Sequence, residues 1–153
     1  MAHILAVCTA NICRSPVVEV LVRRKLADRG HDDWQVTSAG VLADGWAASE
    51  GSQRVVHERW GFDLSSHRSR RVSESLLTSA HLILGLEGAH VDYLLHHFPS
   101  QRPKIHRLAE MAGEPRDVAD PYGGPAEGYD RMVSEVDDLL DRGLARIVEL
   151  ASV

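Results

Sequence analysis

Cysteine is scarce in this chain, which contains only two among its 153 residues, Cys8 and Cys13. Two thiols five positions apart do not make the framework of a disulfide-stabilised secreted domain. In a reducing compartment, such a pair is more often catalytic or metal-binding. The scarcity of cysteine therefore directs attention to the segment that holds both thiols, CTANICRSP at 8–16.

Long apolar runs and an excess of positive charge are also absent. No apolar run reaches the ~18 residues of a membrane span, and the start of the chain, MAHILAV, lacks the basic region and the long apolar region of a signal peptide. We therefore expect a cytoplasmic protein without membrane association. The net charge of −5 gives no electrostatic case for nucleic-acid binding. Nine histidines form no ligand motif, so we predict no metal site, and no cofactor is expected.

Short apolar segments alternate with amphipathic segments along the chain. Strands are predicted at 3–7, 34–40, 81–86 and 104–108, and helices at 16–30, 49–61, 73–80 and 88–98. A long last helix is predicted because apolar residues recur every three or four positions from Tyr129 to Val148. The alternation predicts an α/β fold in one domain, 1–153, with three layers: a central four-stranded parallel sheet and helices on both faces. In such sheets ligands bind at the carboxyl ends of the strands.

The segment after the first predicted strand combines residues suited to binding an anion. A turn that enters a helix presents free backbone N–H groups, and Arg14 adds a planar fork for two phosphate oxygens. Ser15 is predicted as the helix N-cap, with Pro16 in the first turn. The positive field of such a turn favours the thiolate of Cys8, which suits attack on phosphorus and a cysteinyl-phosphate intermediate. The alternative is a buried structural thiol beside a helix cap.

Four motifs resemble the low-molecular-weight protein tyrosine phosphatases. VCTANICRSP (7–16) is similar to the phosphate loop of that family, and SAG (38–40) and GFDLSSHRSRRV (61–72) resemble its next two signatures. DPYGG (120–124) is similar to its general-acid loop. The resemblance spans nearly the whole chain and implies a protein tyrosine phosphatase, a phosphoric monoester hydrolase, with its phosphate loop after strand 1.

The resemblance implies a role for each matching residue. Cys8 is the expected nucleophile and Arg14 the expected transition-state clamp. Asp120 is the expected general acid, with Asp117 as the less favoured choice. The phosphate-binding residues implied are Cys8, Thr9, Ala10, Asn11, Ile12, Cys13, Arg14 and Ser15.

Supporting roles are implied around this loop. Asn11 would hold an unusual backbone conformation, Ser15 would donate a hydrogen bond to the Cys8 sulfur, and Ser38 and His67 would hydrogen-bond Asn11. Oxidised Cys8 would pair with Cys13 rather than advance to irreversible acids; Cys13 as a merely packed side chain is the alternative. The substrate pocket is expected to include Ile12, Trp46 and Tyr122, although Trp46 is equally typical of a half-buried loop aromatic.

The sequence departs from the family pattern after the third predicted strand. The family usually has Met-Asp followed by Asn, whereas here Leu86, Glu87 and His90 stand at those places. Glu87 could keep the acidic role or be a solvated carboxylate at a helix start. We do not predict a catalytic role for Glu87.

Two signals disagree about the substrate. Gly123-Gly124-Pro125 resembles a bacterial subgroup that removes phosphate from arginine, but that subgroup typically has threonine where this chain has Ile12. We favour phosphotyrosine, because Ile12 would lie inside the loop, with phosphoarginine as the alternative. The expected partner is a phosphorylated protein, for example a kinase, with inorganic phosphate as product and a monomeric enzyme. A non-catalytic phosphopeptide-binding module is the rival from another class, and arsenate reduction is disfavoured because no cysteine follows Cys13.

Overall fold

A computed structural model describes residues 1–42 and 44–152. Its strands are β1 (His3–Cys8), β2 (Gln35–Gly40), β3 (Leu82–Gly85) and β4 (Ile105–Arg107). Its helices are α1 (Ser15–Asp28), α2 (Glu50–Trp60), α3 (Glu74–Ser79), α4 (Gly88–His97) and α5 (Ala126–Ala151). Two short 3-10 helices, Pro99–Lys104 and Leu108–Ala112, were not predicted from the sequence.

The strands form one parallel sheet in the order β2-β1-β3-β4, which confirms the predicted α/β fold. β1 lies between two neighbours and is buried along its whole length. Because both partners of β1 run in the same direction, Cys8 lies at the carboxyl edge of the sheet, paired in register with Gly40 at the end of β2. The loop that follows β1 therefore begins at the edge where parallel sheets bind ligands.

Helices cover both faces of the sheet. Successive side chains of a strand point to opposite faces, and those of β1 belong to different apolar clusters: Ile4 and Ala6 to one, and Leu5 and Val7 to the other. The first cluster contains buried residues of α1, α2 and α5, and the second contains buried residues of α3 and α4. The three predicted layers are thus present.

One detail at the start of α1 differs from the prediction. Ser15 is not the N-cap of α1: it is the first helical residue, Arg14 occupies the N-cap position with helical φ and ψ, and no side chain caps this end. The Ser15 hydroxyl instead takes part in hydrogen bonds with Cys8 and Asn11, described below. Within residues 1–42 and 44–152, every helix is too short or too polar to span a bilayer.

Candidate active site

The β1–α1 loop, residues 9–14, has an irregular backbone that turns around Asn11. Asn11 is the single described non-glycine residue with a positive φ, at 58°, and asparagine tolerates this left-handed region better than most residues. Within the described part of the chain, no acceptor takes the backbone N–H groups of residues 9–14. Unpaired N–H groups that precede a helix form an anion-binding cradle.

Neighbouring elements hold the carbonyl groups of this loop. The Ile12 carbonyl accepts from the Ser49 backbone N–H at 2.8 Å and from its hydroxyl at 3.1 Å. Ser52 donates its hydroxyl to the Cys13 carbonyl at 2.7 Å, and His67 donates from Nε2 to the Asn11 carbonyl at 2.7 Å. These bonds satisfy the carbonyl groups and leave the N–H groups of the loop free.

Gly40, the last residue of β2, allows a close approach of the sheet to the loop. A Cβ at this position would lie 2.7 Å from the Thr9 carbonyl oxygen and 2.9 Å from the Asn11 nitrogen, inside van der Waals contact. The loop packs directly against the end of β2 because residue 40 has no side chain. This contact explains why the SAG segment ends in glycine.

Asn11 is the centre of a buried hydrogen-bond network. Its side-chain amide donates to Ser15 Oγ at 2.7 Å and to Ser38 Oγ at 2.9 Å. Its side-chain oxygen accepts from the Arg70 backbone N–H at 3.0 Å. Ser38 in turn donates to Glu19 at 2.7 Å, which fixes the direction of its hydroxyl. The structure thus brings together the residues of the predicted network and adds Glu19 to them.

The sulfur of Cys8 lies within this network rather than in a purely apolar core. Cys8 is 2% exposed, and its Sγ is 3.0 Å from Ser15 Oγ. Because Ser15 already accepts the amide of Asn11, its own hydrogen is available to donate to the sulfur. The sulfur of Cys8 therefore has a hydroxyl group beside it that can donate a hydrogen bond.

Arg14 is buried, and its guanidinium is held along one edge. Its Nη1 pairs with the Glu87 carboxylate and donates to the Val118 carbonyl at 2.7 Å. Nε on the other edge is buried and has no partner in the described residues. Nη2 lies 3.4 Å from Thr9 Oγ1 and 3.6 Å from an Asp120 oxygen. The Nε–Nη2 edge therefore remains available to bind two oxygens of one oxyanion.

Asp120 stands at the rim of the site and uses its two oxygens differently. Oδ1 accepts the backbone N–H of Tyr122 at 3.1 Å, which shapes the turn of the Asp-Pro-Tyr segment. Oδ2 is the oxygen that lies 3.6 Å from Arg14 Nη2, and the side chain is 41% exposed. The arrangement leaves a carboxyl oxygen of Asp120 beside the cradle and open to substrate and water.

Asp117, the less favoured acid, has other partners. It accepts the backbone N–H of Gly88 at the start of α4 at 2.8 Å and pairs with Arg107 at 3.0 Å. The hydrogen bond from the Gly88 N–H and, as a smaller effect, the bond from Arg107 hold the pKa of this carboxyl below its usual value. A carboxyl group kept ionised by such bonds is poorly suited to donate a proton.

Cys8, Arg14 and Asp120 line the same cavity, which has a volume of about 510 Å³. The wall above the loop is apolar and includes the predicted Ile12, Trp46 and Tyr122, together with Leu42, which the sequence analysis missed. Trp46 is 50% exposed and Tyr122 is 68% exposed. Large apolar side chains left exposed around a concave site are typical of substrate contacts.

Cys13 lines the same cavity as Cys8. Both thiols are free, and the Cys13 sulfur lies 3.7 Å from the Tyr129 hydroxyl. Burial raises the pKa of Cys13, so its neutral thiol form is favoured. A neutral second thiol suits a reserve role better than nucleophilic attack.

Residues of α4 that the sequence analysis did not assign to the site contact it directly. Glu87, the N-cap of α4, binds Arg14, and His90 bonds to Thr9 Oγ1 at 2.9 Å. The sequence signal for both was the departure from the family pattern at these positions. No group of three or more potential metal ligands comes together in residues 1–42 and 44–152.

Comparison with known proteins agrees with this geometry. The model of the family described as low molecular weight phosphotyrosine protein phosphatase matches residues 3–151. The chain belongs to this family. The resemblance seen in the four motifs is thereby confirmed, and the chain is a phosphatase, a hydrolase that acts on phosphorylated protein substrates.

Relatives of this phosphatase carry two kinds of name. A protein-arginine-phosphatase of Geobacillus stearothermophilus is 35% identical over 142 residues, covering 92% of each chain. A probable low molecular weight protein-tyrosine-phosphatase, EpsP, of Ralstonia nicotianae is 33% identical over 144 residues, covering 94% of each. The crystal structure of a low molecular weight protein tyrosine phosphatase from T. tengcongensis superposes with a TM-score of 0.90 at 35% identity, covering 95% of this chain and 99% of that one.

Proposed function

We propose that residues 1–153 form a phosphatase domain that hydrolyses phosphotyrosine in proteins through a phosphocysteine at Cys8. One observation carries this proposal: the buried Nε of Arg14 has no partner in the described residues, and the backbone N–H groups of the loop to which Arg14 belongs are also unpaired there. A buried guanidinium with a free edge is costly unless a ligand supplies oxygens. Orthophosphate monoesters supply three such oxygens at one centre.

The reaction has two steps. In the first step, the Cys8 thiolate attacks phosphorus, the bond from phosphorus to the leaving oxygen breaks, and Asp120 gives that oxygen its proton. Arg14 and the loop N–H groups stabilise the charge on the equatorial oxygens. In the second step, the Asp120 carboxylate takes a proton from water, which attacks phosphorus. The phosphorus–sulfur bond breaks, the thiolate is regenerated, and inorganic phosphate leaves.

The apolar wall of the cavity supports phosphotyrosine as the substrate. Leu42, Trp46 and Tyr122 offer contacts to a flat aromatic ring, and Ile12 offers no hydrogen bond to a guanidinium. Phosphoarginine is the second candidate, because a protein named as an arginine phosphatase is 35% identical and Tyr122 is followed by glycine rather than by a second aromatic.

The first experiment tests the chemistry. Hydrolysis of 4-nitrophenyl phosphate is measured for wild type, Cys8→Ser and Asp120→Ala, with Asp117→Asn as the matched control at a neighbouring carboxylate. Cys8→Ser is expected to be inactive, and Asp120→Ala to lose more activity on alkyl than on aryl phosphates, because poor leaving groups depend more on the acid. Wild-type binding of inorganic phosphate without turnover would favour the non-catalytic binding module instead.

The second experiment decides between the substrates. kcat/KM is compared for matched phosphotyrosine and phosphoarginine peptides at one pH, with wild type and Ile12→Thr. We expect wild type to prefer phosphotyrosine, and Ile12→Thr to move the ratio toward phosphoarginine. A wild-type preference for phosphoarginine would replace the first candidate with the second.

The remaining assignments follow from this chemistry. The proposed substrates are phosphorylated proteins, for example a kinase, and the monomer is the proposed state by default. A thiolate nucleophile requires a reducing environment, which supports a cytoplasmic location. Cys13, which lines the same cavity as Cys8, is the partner that captures oxidised Cys8 as a disulfide.

A further inference from the structure

The tautomer of His90 is determined by its surroundings. His90 is 3% exposed, and its Nδ1 accepts the backbone N–H of Glu87 at 3.1 Å. A neutral imidazole carries one hydrogen, and a nitrogen that accepts cannot hold it. The hydrogen of neutral His90 is therefore on Nε2.

This hydrogen points to a hydroxyl of the β1–α1 loop. His90 Nε2 lies 2.9 Å from Thr9 Oγ1, so the ring donates and the hydroxyl oxygen accepts. Arg14 Nη2 approaches the same oxygen at 3.4 Å. His90 and Arg14 both donate to the Thr9 hydroxyl oxygen, so Thr9 can still donate its own hydroxyl hydrogen. None of the described hydrogen bonds uses that hydrogen.

The imidazole keeps this donor role at neutral pH. Burial and, to a smaller extent, the charge of Arg14 together lower the pKa of His90 to about 4, against the opposing effects of Glu87, Asp117 and Asp120. The ring is consequently neutral wherever the phosphatase is active near pH 7. Thr9 itself lines the cavity that contains Cys8 and Asp120.

We propose that Thr9 donates its hydroxyl hydrogen to an oxygen of the bound phosphoryl group, and that His90 is the positioning residue that sets this direction. The proposal rests on the proposed function, since it requires an oxyanion in the loop. It adds a side-chain donor to the backbone N–H groups and Arg14. Glu87 contacts both Arg14 and His90: its carboxylate binds Arg14, and its backbone N–H fixes the His90 tautomer.

The test begins with Thr9→Val, which keeps the shape of the side chain and removes the hydroxyl. Affinity for inorganic phosphate is measured by calorimetry, and kcat/KM with 4-nitrophenyl phosphate. A hydrogen bond to a charged group predicts a loss of about 10-fold or more in both. Thr9→Ser retains the donor and is expected to stay within about threefold of wild type.

Thr37 provides a matched control elsewhere in the fold. Its hydroxyl is also in contact with a histidine, His3 Nε2, at 2.7 Å, but it lies on β2 outside the cavity. Thr37→Val is expected to leave phosphate affinity and kcat/KM unchanged. A general effect of removing a histidine-bonded hydroxyl would instead appear in both valine variants.

His90 is tested through its dependence on Thr9. His90→Leu is expected to weaken phosphate binding several-fold in wild type and by less than about twofold in the Thr9→Val background, because coupled residues are non-additive. A role confined to the stability of α4 would cost the same in both backgrounds. Equal losses in the two backgrounds overturn the positioning role, and a Thr9→Val variant with wild-type constants overturns the donor role, whether or not His90→Leu folds. Absence of hydrolysis and phosphate binding in wild type would refute the proposed function itself.

Discussion

Replacing Gly40 by alanine tests whether the shape of the β1–α1 loop depends on its contact with the end of β2. The added Cβ would lie 2.7 Å from the Thr9 carbonyl oxygen, 2.9 Å from the Asn11 nitrogen and 3.0 Å from the Ala10 carbonyl carbon. All of these atoms belong to the backbone of the loop. Side-chain rotation cannot relieve the overlap, so the loop or the strand must move.

The expected size of the effect follows from these distances. The loop must shift by about 0.7 Å to restore ordinary contact. A displacement of ~1 Å in a catalytic group costs about 100-fold in rate, so we expect Gly40→Ala to reduce kcat/KM by one to two orders of magnitude. Overpacking in a tightly packed region costs ~1–3 kcal/mol, so the free energy of unfolding should fall by a similar amount.

The assay combines hydrolysis of 4-nitrophenyl phosphate with urea unfolding. Gly128→Ala in α5 is the matched control, because its added Cβ would make only ordinary contacts, the nearest at 3.6 Å to Pro121. Alanine favours a helix over glycine by ~0.5–1 kcal/mol, so this control should be neutral or stabilising. Gly40→Ala with wild-type kcat/KM would refute the argument that this contact shapes the loop.

Four further predictions concern other parts of the site. Asn11→Ala should lower the free energy of unfolding by about 2–4 kcal/mol in urea, because it removes the buried amide that bonds Ser15, Ser38 and the Arg70 N–H and puts a residue less tolerant of positive φ at this position. Relative to His90→Gln, wild type should lose about 3 kcal/mol of unfolding free energy as the pH falls from 6.5 to about 4, because the unfolded imidazole takes up its proton first. Cys13→Ser should prevent the recovery of activity by a thiol reductant after peroxide treatment. Trp46→Ala should raise KM for a phosphotyrosine peptide about 2- to 10-fold without changing inhibition by inorganic phosphate.

Each of these predictions has a contradicting result. Unchanged stability of Asn11→Ala would mean that the network does not hold the loop. Parallel pH profiles of wild type and His90→Gln would contradict a lowered pKa in the folded state. Full recovery of peroxide-treated Cys13→Ser would remove its protective role, and a Trp46→Ala variant that weakens phosphate inhibition would indicate a disturbed loop rather than a lost ring contact.

The sheet and the loop could be predicted from the sequence because their signals are local. Short apolar segments alternate with amphipathic helices, and this pattern is sufficient for a parallel sheet with helices on both faces. Cys8, Arg14 and Asn11 lie within seven consecutive residues, so their proximity follows from the chain itself. The two 3-10 helices were missed because such short elements have no periodicity to detect.

The contacts of α4 could not be predicted because they join segments distant in sequence. Glu87 and Arg14 are separated by 73 positions, and His90 and Thr9 by 81. A glutamate followed three residues later by a histidine is also an ordinary helix start, which is how α4 uses them for capping. The wrong N-cap at Ser15 has a similar origin: the residue type suits a cap, but its hydroxyl has stronger partners in Asn11 and Cys8.

The position of β1 separates the residue that carries the thiol from the apolar residues at the rim of the pocket. Cys8 is anchored to the central strand of the sheet, whereas Leu42, Trp46 and Tyr122 stand on connecting segments outside the helices and strands. Substitutions in connecting segments are tolerated more readily than substitutions in a central strand. Lineages with this architecture can therefore alter the rim of the pocket while the strand that carries Cys8 stays the same, and relatives named for tyrosine and for arginine accord with such divergence.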